Sequence, residues 1–176
     1  MKNILFVMLV LAVSCKKSND NSDRQTAKPF ESAPSSFAIS GKKLKEASGI
    51  SYSKSHQGQL WVEQDSGNPS VLYLLKTDGS VTDSVAITGA TNRDWEDIAI
   101  GNGPDNGKTY LYVGDIGDNN LNHEEYAVYR FEEPGTNVHE VTTFDKIRFV
   151  YPDGLHDAEG LVVDNSTKDI YILTKR

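Results

Sequence analysis

From Phe37 onward, apolar residues come in short β-rich runs separated by turn-forming residues, and no stretch holds a sustained 3.6-residue apolar period. The breaks are His56-Gln57-Gly58, Asp78-Gly79, Pro104-Asp105-Asn106-Gly107 and Pro152-Asp153-Gly154. In each, Gly tolerates a positive φ while Pro, Asn or Asp starts the turn. This pattern predicts an all-β chain. One segment departs from it: Ile4 to Val13 is an unbroken apolar run behind Lys2. As a helix it would span about 15 Å, roughly half of a bilayer core, which predicts a signal-peptide core and not a stable membrane span.

The β runs repeat. Ala47-Ser48-Gly49-Ile50-Ser51-Tyr52 aligns with Trp95-Glu96-Asp97-Ile98-Ala99-Ile100 and with Ala158-Glu159-Gly160-Leu161-Val162-Val163. Each is followed by a turn and a second strand, at Leu60 to Asp65, Tyr110 to Asp115 and Asp169 to Thr174. Two further strands fit the first unit (Val71 to Lys76, Val81 to Thr88) and the second (Tyr126 to Phe131, Val141 to Tyr151). A four-strand unit recurring about every 40–60 residues is the pattern of a β-propeller blade. The near-continuous apolar first strand suits the innermost position, buried on both faces. The rival reading is a β-sandwich with coincidental similarity between its strands. About two and a half blades fit residues 37–176, so the expectation is the N-terminal part of a longer propeller, six blades in all. Missing blades or another chain would close the ring, since open rings leave unpaired edges.

Composition narrows the class. The chain has 176 residues, 38% hydrophobic and 24% charged, with one Cys and a formal charge of −7. These values exclude a polytopic membrane protein and a disulfide-stapled miniprotein, and the negative charge argues against nucleic acid as a partner. The single Cys15 follows Ala12-Val13-Ser14, and that run resembles the bacterial lipobox, with Ala12 where Leu is usual. The resemblance implies cleavage after residue 14, lipidation of Cys15 and anchoring to a membrane. The plainer reading is an ordinary signal peptide with a chance cysteine. Residues 15–36 are polar and poor in aromatics and predict a tether. Basic-then-acidic residues after Cys15 resemble surface-export tags of Gram-negative lipoproteins, implying an outer-membrane or cell-surface location.

The repeated segments, with "LKEASGISYS", "DWEDIAIGNGPDNGKTYLYVGDIGDN" and "HDAEGLVVD" among them, resemble exported bacterial propellers of the six-bladed group. That group includes the gluconolactonase/senescence-marker family and esterase-like phytase-type proteins. The resemblance covers about residues 44–176 and specifies fold better than activity.

Candidate chemistry sits at equivalent points of the repeat. Glu96 and Glu159 share one position at the start of the first strand, where the first unit has Ser48; Asp65 and Asp115 end the second strand, where the third unit has Thr174. Oxygen donors converging from several blades suit a hard cation such as Ca²⁺. The resemblance implies that an inner-strand Glu, matched by Glu96 or Glu159, is a metal ligand. Alternatively these acids only accept hydrogen bonds from neighbouring backbone N–H groups. Arg93, His156, Lys175 and Arg176 are candidates for binding an anionic ligand around the acids. Trp61 and Trp95 read as packing residues. Asp115 to Asn120 lacks EF-hand spacing, and no serine-hydrolase, zincin, P-loop or dinucleotide motif occurs. No catalytic residue is assigned. Two functions remain: an exported scaffold binding a glycan, small molecule or protein, and a Ca-dependent hydrolase of lactone, ester or phosphoester substrates.

Overall fold

The computed structural model describes residues 33–40 and 44–175. The signal-peptide run, Cys15, nearly all of the tether and Arg176 lie outside the described residues. No helix among the described residues is long and apolar enough to cross a membrane.

The chain is all-β, in three antiparallel sheets, none of them closed. The first has the order β1 (Ala47–Tyr52), β2 (Gln59–Gln64), β3 (Val71–Lys76), β4 (Val81–Ile87), with β8 (Glu140–Val141) added in parallel at the β4 edge. The second runs β5 (Trp95–Asn102), β6 (Thr109–Asp115), β7 (Tyr126–Glu132), β9 (Asp145–Phe149), and the third pairs β10 (Ala158–Val163) with β11 (Ile170–Thr174). The expected strand from Val141 to Tyr151 is therefore two: its start crosses to the first sheet and only Asp145–Phe149 completes the second. The predicted turns fall between strands, with Gly58, Gly79, Gly107 and Gly154 all at positive φ.

The sheets stack face to face through two apolar layers. Between the first and second, Trp61, Leu72, Leu74, Val85 and Ile87 meet Trp95, Ile98, Leu111, Val113, Tyr129 and Phe131. Between the second and third, Tyr110, Tyr112 and Val128 meet Leu161, Val163, Ile170 and Ile172. Both tryptophans are buried packing residues. Each large side chain so removed from water contributes about 1.5–3 kcal/mol. Gly49 permits the close approach of β1 to β5, because a Cβ there would lie 2.5 Å from the Ile98 backbone nitrogen.

Burial is deepest on the middle strands β2, β3, β6 and β7, not on the first strand of each unit. The reason is the stacking order. Among the described residues β5 has a sheet on both sides, whereas β1 and β10 each have one on a single side, and Ile50, Tyr52 and Val162 are more than half exposed.

A buried carboxylate ties the first two sheets together. Glu133, just past β7, accepts hydrogen bonds from the Ser53 and Ser55 hydroxyls, the Lys54 and Ser55 backbone nitrogens and the Trp61 indole nitrogen. Burial alone would raise its pKa, but these donors outweigh it and hold the carboxyl below its ordinary value.

Candidate metal centre

The three first strands share a local irregularity that positions the site. The register of β1 against β2 shifts between Ala47 and Ile50, that of β5 against β6 between Trp95 and Asp97, and that of β10 against β11 between Ala158 and Gly160. A bulge therefore falls at Ser48-Gly49, at Glu96 and at Glu159, the positions that the sequence repeat equates. Bulges bend a strand and re-aim the extra residue's side chain. Here they bring Glu96 and Glu159 into one acidic cluster.

Asp65, Asp94 and Glu96 each present a carboxylate oxygen within 4.8 Å of the others, and Glu96, Asp157 and Glu159 do the same. Glu96 belongs to both groups, so all three sheets or their adjoining loops contribute. Asp94 and Asp157 stand two residues before Glu96 and Glu159, and a two-residue step keeps side chains on one face of an extended chain. The sequence carries this signal as a repeated Asp-x-Glu at both strand starts.

The surrounding bonds fix the donors. The Asn92 side-chain amide donates to the carbonyl oxygens of Gln64 and Asp65 at 2.8 and 2.9 Å, and its oxygen accepts from the Trp95 backbone nitrogen at 3.1 Å. That couples the end of β2 to the start of β5. The Asp94 carbonyl accepts from the Ile116 and Gly117 nitrogens, both at 3.1 Å. Ser48 donates its hydroxyl to the Glu96 carbonyl at 3.0 Å. Gly117 lies directly against the acids: a Cβ at that position would run into Glu96 Oε1 and Asp94 Oδ2.

The candidates separate clearly. Asp115 is in neither acidic group; its Oδ1 accepts from the Arg93 and Asp94 backbone nitrogens at 3.2 and 2.9 Å. It holds the Asp94 loop in place. Register explains why it parts from Asp65: Asp115 faces Trp95, and the residue facing Ala47 in the first sheet is Gln64, one position before Asp65. Arg93 donates to the Glu125 and Asp115 carbonyl oxygens and lies over the Tyr126 ring. His156 pairs with Asp153 and packs edge-on against Tyr151. Arg176 lies outside the described residues, and Lys175 reaches the acidic cluster. Its ammonium bridges Asp157 Oδ2, at 2.9 Å, and Glu159 Oε1.

The electrostatics are those of acids with too little counter-charge. Burial, then the charges of Glu159, Asp65 and Asp94, push Glu96 up to about 8, with Lys175 opposing. Glu63, fully buried on β2, is also pushed up to about 8, first by burial and then by Glu96, Asp97 and Asp65, against a hydrogen bond from the Gly49 nitrogen. Its Oε2 has no hydrogen-bond partner among the described residues. Asp94 is raised too, mainly by burial. Lys175 offsets one of the two charges of Asp157 and Glu159, whereas Asp65, Asp94 and Glu96 make no ion pair among the described residues.

Comparison of the chain with protein-family models, with curated proteins and with solved structures finds no match.

Proposed function

We propose that this chain is part of an exported, lipid-anchored β-propeller that serves as a binding module, with a hard divalent cation, Ca²⁺ by preference, at the mouth formed by the first strands. The observation that carries this reading is the convergence of Asp65, Asp94 and Glu96, and of Asp157 and Glu159 through Glu96, from three stacked sheets. Repeated four-strand units, a head-to-tail stack and a bulge at the same place in each first strand support the propeller.

The donor set fits such an ion. It is made entirely of carboxylate oxygens, which suit Ca²⁺ and offer no nitrogen or sulfur to favour zinc. Asp65, Asp94 and Glu96 would hold the cation, and Asp157 and Glu159, screened by Lys175, would form the outer wall. The ion would supply a fixed positive charge to orient an oxygen-rich ligand such as a glycan or an anionic small molecule. It would also relieve the repulsion that raises the Glu96 pKa.

Calorimetric titration of the metal-stripped full chain with Ca²⁺ tests this reading. Saturable binding that Glu96→Gln abolishes, with cooperative unfolding retained, supports it. Absence of binding, or equal binding by the variant, refutes it. Cation-dependent turnover of a lactone or phosphoester would move the function to the hydrolase class.

A further inference from the structure

Glu63, near the end of β2, is 0% exposed, and its two carboxylate oxygens differ. Oε1 accepts a hydrogen bond from the Gly49 backbone nitrogen, whereas Oε2 is buried with no hydrogen-bond partner among the described residues. A buried acceptor without a donor is costly, and one reason a fold keeps such a group is an ion or ordered water that completes it. The equivalent positions of the repeat hold no polar side chain. Gln64, Asp115 and Thr174 face the first residues of β1, β5 and β10, so the residues before them, Glu63, Gly114 and Leu173, correspond. Ile116 packs over Gly114. The bulges of β5 and β10 therefore form with Gly or Leu at this place, and a bulge alone does not call for a carboxylate.

The direction of the Glu63 side chain follows from the period of two along a strand. Trp61, two residues earlier, packs into the layer shared with the second sheet, and Asp65, two residues later, joins Asp94 and Glu96. Glu63 shares that face, one step deeper than Asp65. Its partner Gly49 approaches the Asp97 and Ile98 backbone, and the adjacent Ser48 hydroxyl lies 3.4 Å from Glu96 Oε2. Glu63 thus stands behind Asp65 and Glu96, outside the groups whose oxygens lie within 4.8 Å of one another.

We infer that Glu63 is the floor of the cation site, and that its free Oε2 accepts a hydrogen bond from a water bound to the ion. The inference rests on the cation reading proposed above. Ca²⁺ takes about six to eight oxygen ligands, water among them, so Asp65, Asp94 and Glu96 leave room for ion-bound water. A carboxylate behind such a water orients it and adds negative charge on the buried side of the ion. Loss of an outer partner of this kind weakens metal affinity by about 10–100-fold.

Glu63→Gln tests this, because Gln keeps the shape and the Oε1 acceptor for Gly49 while removing the charge and the free carboxylate oxygen. Calorimetric titration of the metal-stripped full chain with Ca²⁺ is expected to give binding at least about ten-fold weaker than the parent's at the same stoichiometry. Urea unfolding of the same sample verifies that the variant is cooperatively folded. Glu63→Leu, which installs the residue type of the third unit, is expected to weaken binding likewise and takes the place of the Gln variant if that one does not fold. A folded variant that binds Ca²⁺ as the parent does overturns the inference, whatever its stability, since a purely structural Glu63 changes stability and not Kd. Complete loss of binding also overturns it, because Glu63 would then be a direct ligand. A parent that does not bind Ca²⁺ overturns the cation reading and this inference together. A parent that binds, with Glu96→Gln abolishing binding and Glu63→Gln leaving Kd unchanged, overturns this inference alone.

Discussion

Glu96 and Glu159 stand at the same bulge in two successive first strands and bring carboxylate oxygens within 4.8 Å of each other. Each is preceded two residues earlier by an aspartate of the same cluster, so the repeat has written one acidic device twice. The first unit carries Glu46-Ala47-Ser48 at that place, and its Ser48 donates to the Glu96 backbone. A bland role for these acids, accepting backbone N–H bonds, describes Asp115 well and Glu96 poorly.

Without a cation, stability is expected to fall as pH rises between about 4.5 and 8. Glu63 and Glu96 have folded-state values near 8 against ordinary values of 4.5. The folded state then binds more protons across that window, and the stabilising protonation is lost as pH passes through the folded-state values. Chemical denaturation at pH 5, 7 and 9, with chelator and with Ca²⁺, checks this. Ca²⁺ is expected to flatten the profile by replacing the proton at Glu96.

Lys175→Met is expected to leave the fold intact and raise Ca²⁺ affinity several-fold. The ammonium is a tethered cation on Asp157 and Glu159, and its removal exposes both carboxylates to the incoming ion. Titration of the variant against the parent at equal ionic strength reads the change.

Gly117→Ala is expected to cost about 1–3 kcal/mol, as overpacking does, and to weaken cation binding. Its methyl group would press on Glu96 and Asp94. Gly107→Ala is the control: it sits at a turn with open space around it, at a φ of 80°, so its cost is local strain without loss of binding.

Glu133→Ala is expected to destabilise the molecule by about 2–4 kcal/mol, because it orphans the buried donors of the Ser53 hydroxyl and the Trp61 indole. With its folded-state pKa below the ordinary value, Glu133 contributes stability above that ordinary value and loses it as pH falls. The variant should therefore flatten the acid limb of the stability profile. Urea unfolding below pH 5 checks it.

The sequence made the strands, the turns and the equivalence of Glu96 with Glu159 legible, because period-two patterning and turn chemistry are local signals. It misplaced Asp65 relative to Asp115 by one register position, since an apolar pattern does not distinguish a one-residue slip when strands are buried on both faces. The single strand from Val141 to Tyr151 failed for a related reason: a β-rich run does not say which sheet each half joins. Glu133 carried no local signal at all. Its partners Ser53 and Trp61 lie 80 and 72 residues away, and only the stacked sheets bring them together. Asp94 and Asp157 were legible as an Asp-x-Glu repeat, yet their convergence depends on the bulges.

Asp65 from the first sheet and Asp94 and Glu96 from the second are proposed to form one cation site. Ca²⁺ titration of the metal-stripped parent beside Asp94→Asn tests it most directly, because Asp94 was singled out by the folded geometry and not by the family resemblance. Saturable binding by the parent, with Kd of about 10⁻⁴–10⁻³ M, and loss of that binding in the variant are expected. Equal titration curves for the two proteins would contradict it.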